Sequence, residues 1–305
     1  LCREDTVDGG ADADTLVLTA TSAALNAAAD AELVNVETVT AAGAAAGVEL
    51  NLGNQGDGLT ITGSGHNDTI TGSSGADSLD AGAGDDTING FVGKDTVDGG
   101  ADADTLVLTA TSAALNAAAD AELVNVETVT AAGAAAGVEL NLGNQGDGLT
   151  ITGSGHNDTI TGSSGADSLD AGAGDDTING FVGKDTVDGG ADADTLVLTA
   201  TSAALNAAAD AELVNVETVT AAGAAAGVEL NLGNQGDGLT ITGSGHNDTI
   251  TGSSGADSLD AGAGDDTING FVGKDTVDGG ADADTLVLTA TSAALNAAAD
   301  AELVN

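Results

Sequence analysis

Between residues 63 and 107 the apolar positions recur every nine residues. Aligned in nines, the segment reads GSGHNDTIT, GSSGADSLD, AGAGDDTIN, GFVGKDTVD and GGADADTLV. Ile70, Leu79, Ile88, Val97 and Leu106 share one column, and Asp68, Asp77, Asp86, Asp95 and Asp104 share another two places earlier. Each unit ends as a three-residue strand whose middle side chain points inward and whose neighbours point out. The glycines that open each unit permit a tight turn. A turn plus a strand makes half a rung, so two nonapeptides predict one 18-residue turn of a flattened parallel β-helix. Residues 18 apart then stack at roughly 4.8 Å.

Residues 15–62 lack the aspartate column. Residues 16–19 extend the preceding strand. Thr21-Ser22 is placed to cap a short helix over 23–33, with Leu25, Ala28, Ala29 and Leu33 on one face. Eleven residues form a marginal helix alone, so it is expected to pack on the solenoid. Strands are predicted at 36–40, 48–52 and 59–62. In the second of these, Val48, Leu50 and Leu52 alternate with Glu49 and Asn51. Gly53 to Gly58 reads as a turn, with Asp57 solvated. The fold class predicted is all-β: a parallel β-helix or β-roll solenoid with one short helix per repeat.

A longer period encloses both halves. Residues 5–94 recur unchanged at 95–184 and 185–274, and 275–305 begin a fourth copy, leaving residues 1–4 as a junction. Ninety residues would equal five 18-residue turns. Nonapeptide blocks fall at 63–107, 153–197 and 243–287, with metal-free β spacers between them. Identical copies suit length and multiplicity better than a single active site.

Composition sharpens this picture. The 305 residues include 49 Asp and Glu against 4 Lys and Arg, a formal charge of -45, with no Pro, Met, Trp or Tyr and only 3 Phe. The core must therefore be thin and aliphatic, as in a solenoid whose rungs cover one another. Such acidity excludes a phosphate-binding surface, so nucleic acid is not an expected partner. No stretch reaches the length of a membrane span. The single Cys, Cys2, allows no intrachain disulfide. The start has neither Met nor a signal-peptide pattern, so the chain is expected to be part of something longer whose export signal lies elsewhere.

Stacking puts Asp68, Asp86 and Asp104 in one column and Asp77 and Asp95 in the column on the opposite edge. Bare carboxylates at strand spacing repel. With turn carbonyls they make an oxygen-rich cage that suits Ca²⁺, which takes six to eight oxygen ligands, better than Mg²⁺. The pairs Asp68/Asp86, Asp86/Asp104 and Asp77/Asp95 predict about three Ca²⁺ per block. The equivalents are Asp158, Asp167, Asp176, Asp185 and Asp194 in the second block, Asp248, Asp257, Asp266, Asp275 and Asp284 in the third, and Asp5 and Asp14 near the start. Gly63, Gly72, Gly75, Gly82, Gly84, Gly90, Gly93, Gly99 and Gly100 are the loop backbone around them. Each repeat holds 14 acidic residues and one Lys, so metal would offset about half of its net charge.

Other constellations weigh less. Ser64, His66 and Asp68 lie two apart in one turn and strand, with no separate scaffold to orient a base, so no catalytic triad is expected. His66 reads as a loop residue and Asp85 as a solvated one. Thr69, Thr71, Thr87, Thr96 and Thr105 offer a threonine ladder, and ice binding is the lesser alternative function. Asn89, Asp80 and Asp98 interrupt it, and strand propensity explains the threonines.

The array resembles the RTX, or haemolysin-type, calcium-binding nonapeptide G-G-x-G-x-D-x-U-x. His66 and Asp102 stand where that pattern has its fourth-position Gly, Ala81 replaces a first Gly, and Phe91 and Val92 occupy loop positions. The resemblance implies a parallel β-roll with Ca²⁺ held between successive turns, and type I secretion to the cell exterior. It also implies that the spacer half is of the kind found in large bacterial surface proteins. The function expected is non-enzymatic: a calcium-rigidified rod in a surface layer, extracellular fibre or matrix, or alternatively the stalk of a large adhesin. Self-association is expected, with cell-surface polysaccharide a candidate partner.

Overall fold

The structure, a computed structural model, describes residues 6–288 and 303–304. The chain divides into two compact units, residues 1–152 and 153–305. Each is a parallel β-solenoid.

In the first unit, successive strands go alternately to two sheets. One sheet carries, in order, Thr15–Val17, Thr38–Thr40, Thr60–Thr62, Ser78–Asp80, Thr96–Asp98 and Leu123–Val124. The other carries Glu49–Asn51, Thr69–Thr71, Thr87–Asn89, Thr105–Val107, Thr128–Thr130 and Thr150–Thr152. All pairings are parallel, and the register within the nonapeptides is the predicted one: Ile70 lies beside Ile88, Ile88 beside Leu106, and Leu79 beside Val97. In the three-residue strands from Thr38–Thr40 to Thr150–Thr152 the middle residue is buried and its neighbours are more exposed. Val39, Ile61, Ile70, Leu106, Val129 and Ile151 are fully buried between the sheets. Each such side chain contributes about 1.5–3 kcal/mol. The second unit repeats the pattern, with Thr159–Thr161, Thr177–Asn179, Thr195–Val197 and Thr218–Thr220 neighbours in one sheet and Ser168–Asp170, Thr186–Asp188 and Leu213–Val214 in another.

The spacer strands join the same ladders. Thr105–Val107 pairs with Thr128–Thr130, which pairs with Thr150–Thr152. Within each unit the spacer thus continues the solenoid. The predicted strands at 36–40, 48–52 and 59–62 are found shortened to Thr38–Thr40, Glu49–Asn51 and Thr60–Thr62. The threonines Thr69, Thr87, Thr105, Thr128 and Thr150 form an unbroken row across one sheet, whereas Asn89 and Val107 interrupt the parallel row that begins at Thr71.

Two expectations are corrected. The helix over 23–33 is only Ala23–Asn26. Ser22 caps it as predicted, accepting the Leu25 N–H, and Leu25 is buried. Beyond it, Gln55 donates to the Ala28 carbonyl, and Glu32 accepts the Ala29 N–H to start the 3-10 turn Asp30–Glu32. Leu33–Val34 then becomes a strand beside Val7–Asp8. Bonds to neighbouring rungs outweigh the weak propensity of a short alanine-rich helix.

The second correction is the turn count. From Thr60–Thr62 to Glu139–Asn141 there are nine strands, and the next, Thr150–Thr152, is the copy of the first. Two strands make a turn, so one repeat is four and a half turns, not five. The helix-bearing connection consumes the residues of one half-rung. Thr60–Thr62 and its copy Thr150–Thr152 consequently lie in opposite sheets of the first unit, as do Thr15–Val17 and Thr105–Val107. In the second unit Ser168–Asp170 and Ser258–Asp260 are likewise in different sheets.

Candidate metal centre

The loops 63–68, 81–86 and 99–104 lie on one edge of the first unit, and 72–77 and 90–95 on the other, because each loop carries the chain from one sheet to the opposite one. On the first edge the aspartates form a continuous hydrogen-bonded column. Asp68 Oδ1 accepts the Val48 N–H at 2.6 Å, Asp86 Oδ1 accepts the Asp68 N–H at 2.7 Å, and Asp104 Oδ1 accepts the Asp86 N–H at 2.8 Å. On the other edge Asp77 and Asp95 do the same for Leu59 and Asp77. Each carboxylate caps the backbone one rung back.

The second carboxylate oxygen separates these residues into two kinds. Ser64 donates both its N–H and its hydroxyl to Asp68, and Ser73 does so to Asp77. Asp95 Oδ2 accepts the Val92 N–H at 2.7 Å. By contrast, the Oδ2 atoms of Asp14, Asp86, Asp104, Asp176, Asp194, Asp266 and Asp284 are buried and have no hydrogen-bond partner. The cause is the second position of the nonapeptide. Serine there keeps its N–H turned toward the carboxylate. Gly82 and Gly100 adopt φ of 112° and 105°, and no N–H of theirs reaches Asp86 or Asp104. Only glycine adopts that conformation freely. A Cβ on Gly82 would also sit 2.1 Å from the Ser64 carbonyl oxygen, and one on Gly100 2.0 Å from that of Gly82. Gly84, Gly90 and Gly93 also have positive φ, while Gly63, Gly72, Gly75 and Gly99 serve close backbone or carboxylate approach.

Burial also raises several of the column carboxyls, among them Asp86, Asp104 and their copies. Burial pushes the Asp86 carboxyl up to about 7, with Asp104, Asp68 and Asp85 adding repulsion and the Asp68 N–H opposing it. Its copy Asp176 is raised to about 6 by the same causes. Asp104 is raised by burial and by Glu127, Asp85 and Asp102, and Asp194 is raised to about 6 in the same way. Asp95, Asp185 and Asp275 are raised chiefly by burial. An unpartnered buried carboxylate oxygen is costly unless it is protonated or meets a cation.

The copies repeat the arrangement. Ser154 and Ser163 donate to Asp158 and Asp167, and Ser244 and Ser253 to Asp248 and Asp257. Asp185 and Asp275 accept the Val182 and Val272 N–H groups. Asp5 lies outside the described residues. His66, Asp57 and Asp85 are exposed. The Ser64 hydroxyl is bonded to Asp68 and to the His66 backbone, so the three side chains do not form a serine–histidine–aspartate relay. A cavity of about 350 Å³ lies on the other edge, against Leu79, Ile88, Val97, Asp77 and Asp95. It does not reach the unpartnered oxygens.

Glu127 lies outside the nine-residue period that marks the aspartates. Its Oε2 accepts the Asp104 N–H at 2.8 Å, and Glu37 and Glu217 do the same for Asp14 and Asp194. The signal was present: Glu127-Thr128-Val129-Thr130 reproduces the acid, polar, apolar, polar order of Asp68-Thr69-Ile70-Thr71.

Among the described residues no three His, Cys, Asp or Glu side chains converge on a point that could hold a metal. A cation here would draw on carboxylates of adjacent rungs and on loop carbonyls. Hard oxygen donors without thiolate or imidazole suit calcium. The fold is a parallel β-solenoid whose edges carry stacked aspartate columns. Residues 4–18, 60–79, 71–106, 150–169, 161–196, 240–259 and 251–286 match the family described as RTX calcium-binding nonapeptide repeat (four copies). These matches cover about half of the chain, and the chain belongs to that family. RTX nonapeptide repeats bind calcium and are typical of secreted proteins. No curated protein matches the chain. No helix among the described residues is long and apolar enough to cross a membrane.

Proposed function

We propose that the chain is a structural segment of an extracellular surface layer, fibre or matrix, stiffened by calcium bound along its aspartate columns. The observation that carries this reading is the set of buried, unpartnered Oδ2 atoms at the same rungs of every copy, Asp86 and Asp104 with their equivalents. Asp86 and Asp104, with neighbouring loop carbonyls, would hold the ion, and calcium would supply the positive charge that an acidic column lacks. Asp68, Asp77 and Asp95 already accept protein donors through both oxygens and would exchange these for metal at a cost. A purely structural role accords with identical tandem copies and with a Ser64–His66–Asp68 triplet whose bonds serve the turn. Export by type I secretion and attachment to cell-surface polysaccharide belong to the same proposal.

Electron microscopy of the purified chain tests the assembly. Addition of millimolar Ca²⁺ is expected to produce ordered filaments or sheets that chelator disperses. Discrete, unassociated particles at all calcium concentrations would replace the layer or fibre with the stalk of an adhesin.

A further inference from the structure

The aspartate column does not stop where the nonapeptides stop. Asp104 is the last aspartate of its block, and the next carboxylate along the same edge is Glu127, in the short connection between Leu123–Val124 and Thr128–Thr130. Glu127 stands to Asp104 as Asp104 stands to Asp86: each accepts the backbone N–H of the acid one rung back, at 2.8 Å in both cases. Asp104 is fully buried, and its Oδ2 has no partner. That oxygen lies beside Gly99, where a Cβ would fall 2.7 Å from it and 2.0 Å from the Asn125 carbonyl oxygen. A carboxylate oxygen and a main-chain carbonyl from the next rung thus crowd the same side-chain-free position. Asp102, held at φ 82° in the same loop, and Asp85 add negative charge around Asp104.

The arrangement recurs. Gly189 has the Asn215 carbonyl and the unpartnered Asp194 Oδ2 at the same distances, and Glu217 accepts the Asp194 N–H at 2.8 Å. Near the start, Gly9, Asn35, Asp14 and Glu37 repeat it. Glu37, Glu127 and Glu217 all fall outside the residues that match the RTX repeat.

We propose that Glu127 and Asp104, with the Asn125 carbonyl, form a further calcium site at the end of each block, contributed by the spacer rather than by the nonapeptide array. Glu37 with Asp14 and Glu217 with Asp194 are its copies. The longer glutamate side chain suits the connection, which places Glu127 23 residues after Asp104 instead of the 18 that separate successive aspartates. The site clamps the first spacer rung to the calcium block.

This inference rests on the reading of the columns as calcium sites, and its test separates the two. The chain carrying Glu37→Gln, Glu127→Gln and Glu217→Gln keeps an oxygen to accept each aspartate N–H and loses only charge. Equilibrium dialysis against ⁴⁵Ca²⁺ is expected to show about three fewer ions per chain than the unsubstituted protein. An unchanged count and affinity would reduce Glu127 to a backbone cap and overturn the site. Calcium binding absent from the unsubstituted protein would overturn the column reading as well. A second measurement needs no variant. The nonapeptide blocks contain no glutamate, so infrared spectra of protein labelled with ¹³C at glutamate side-chain carboxylates report the spacers, with Glu4 the one labelled residue outside them. A calcium-dependent shift of the labelled carboxylate band supports the site, and a band unmoved by saturating Ca²⁺ contradicts it.

Discussion

At the scale of the residue, two aspartates in identical motif positions do different work because of the residue four places earlier. Asp68 follows Ser64 and has both oxygens filled, whereas Asp86 follows Gly82 and keeps one free. Asp86→Asn should therefore act with opposite sign in two conditions. Without calcium it removes a strained buried charge while leaving an acceptor for the Asp68 N–H, so the melting temperature rises. With calcium it removes a proposed ligand, so the calcium-induced gain in melting temperature shrinks. Asp68→Asn should lower the metal-free melting temperature, since it disrupts the Ser64 bonds, and change the calcium-induced gain less. Calorimetry of both variants with and without Ca²⁺ checks the pair.

Acid works in the same direction as the first substitution. The folded, metal-free carboxyls of Asp86 and Asp176 are raised to about 7 and about 6, from 3.8. The folded state then binds more protons than the unfolded state between these values. The contribution of these carboxyls to metal-free stability is full below about pH 4 and is lost as pH rises through 6 to 7. Melting curves in chelator at pH 5 and pH 8 should show the higher transition at pH 5, with saturating Ca²⁺ narrowing the gap. The aspartate columns were legible from the period of nine. Which oxygens stay free was not, because it depends on the sign of φ at Gly82 and Gly100, and a glycine letter does not record that sign.

At the scale of the element, the strands were readable because x-U-x alternation matches the pleat. The helix was over-read because its alanines and Leu33 continue a helical face that tertiary bonds interrupt. The surviving turn is small but anchored. In the second copy, Ala113–Ala117, Ser112 accepts the Leu115 N–H and donates to the Phe91 carbonyl, and Leu115 is 1 % exposed. Leu115→Ala is expected to cost about 2–5 kcal/mol, and Ser112→Ala about 1 kcal/mol. Denaturant melts in saturating Ca²⁺ measure both. Equal, negligible losses would mean that the helix is an ornament on the solenoid rather than a plug in its side.

At the scale of the whole molecule, the 90-residue period was plain in the sequence and the number of turns it contains was not. Counting 18 residues per turn gave five, but the helical connection takes the place of one strand and leaves four and a half. Within each unit a repeat therefore presents its columns on the edge opposite to that used by its neighbour, so both edges of the solenoid carry metal-type loops. Charge acts at this scale too. A net charge of -45 on 305 residues opposes any compact state unless cations offset it, and the thin aliphatic core has little surplus with which to resist.

Folding of so acidic a chain is therefore expected to depend on calcium. Circular dichroism of the chain at pH 8, followed through removal of calcium by chelator and its return, measures it directly. The prediction is loss of most of the β-strand signal on chelation and its recovery on adding Ca²⁺, with no recovery on adding the same concentration of a monovalent salt. A strand spectrum unchanged by chelation would contradict it.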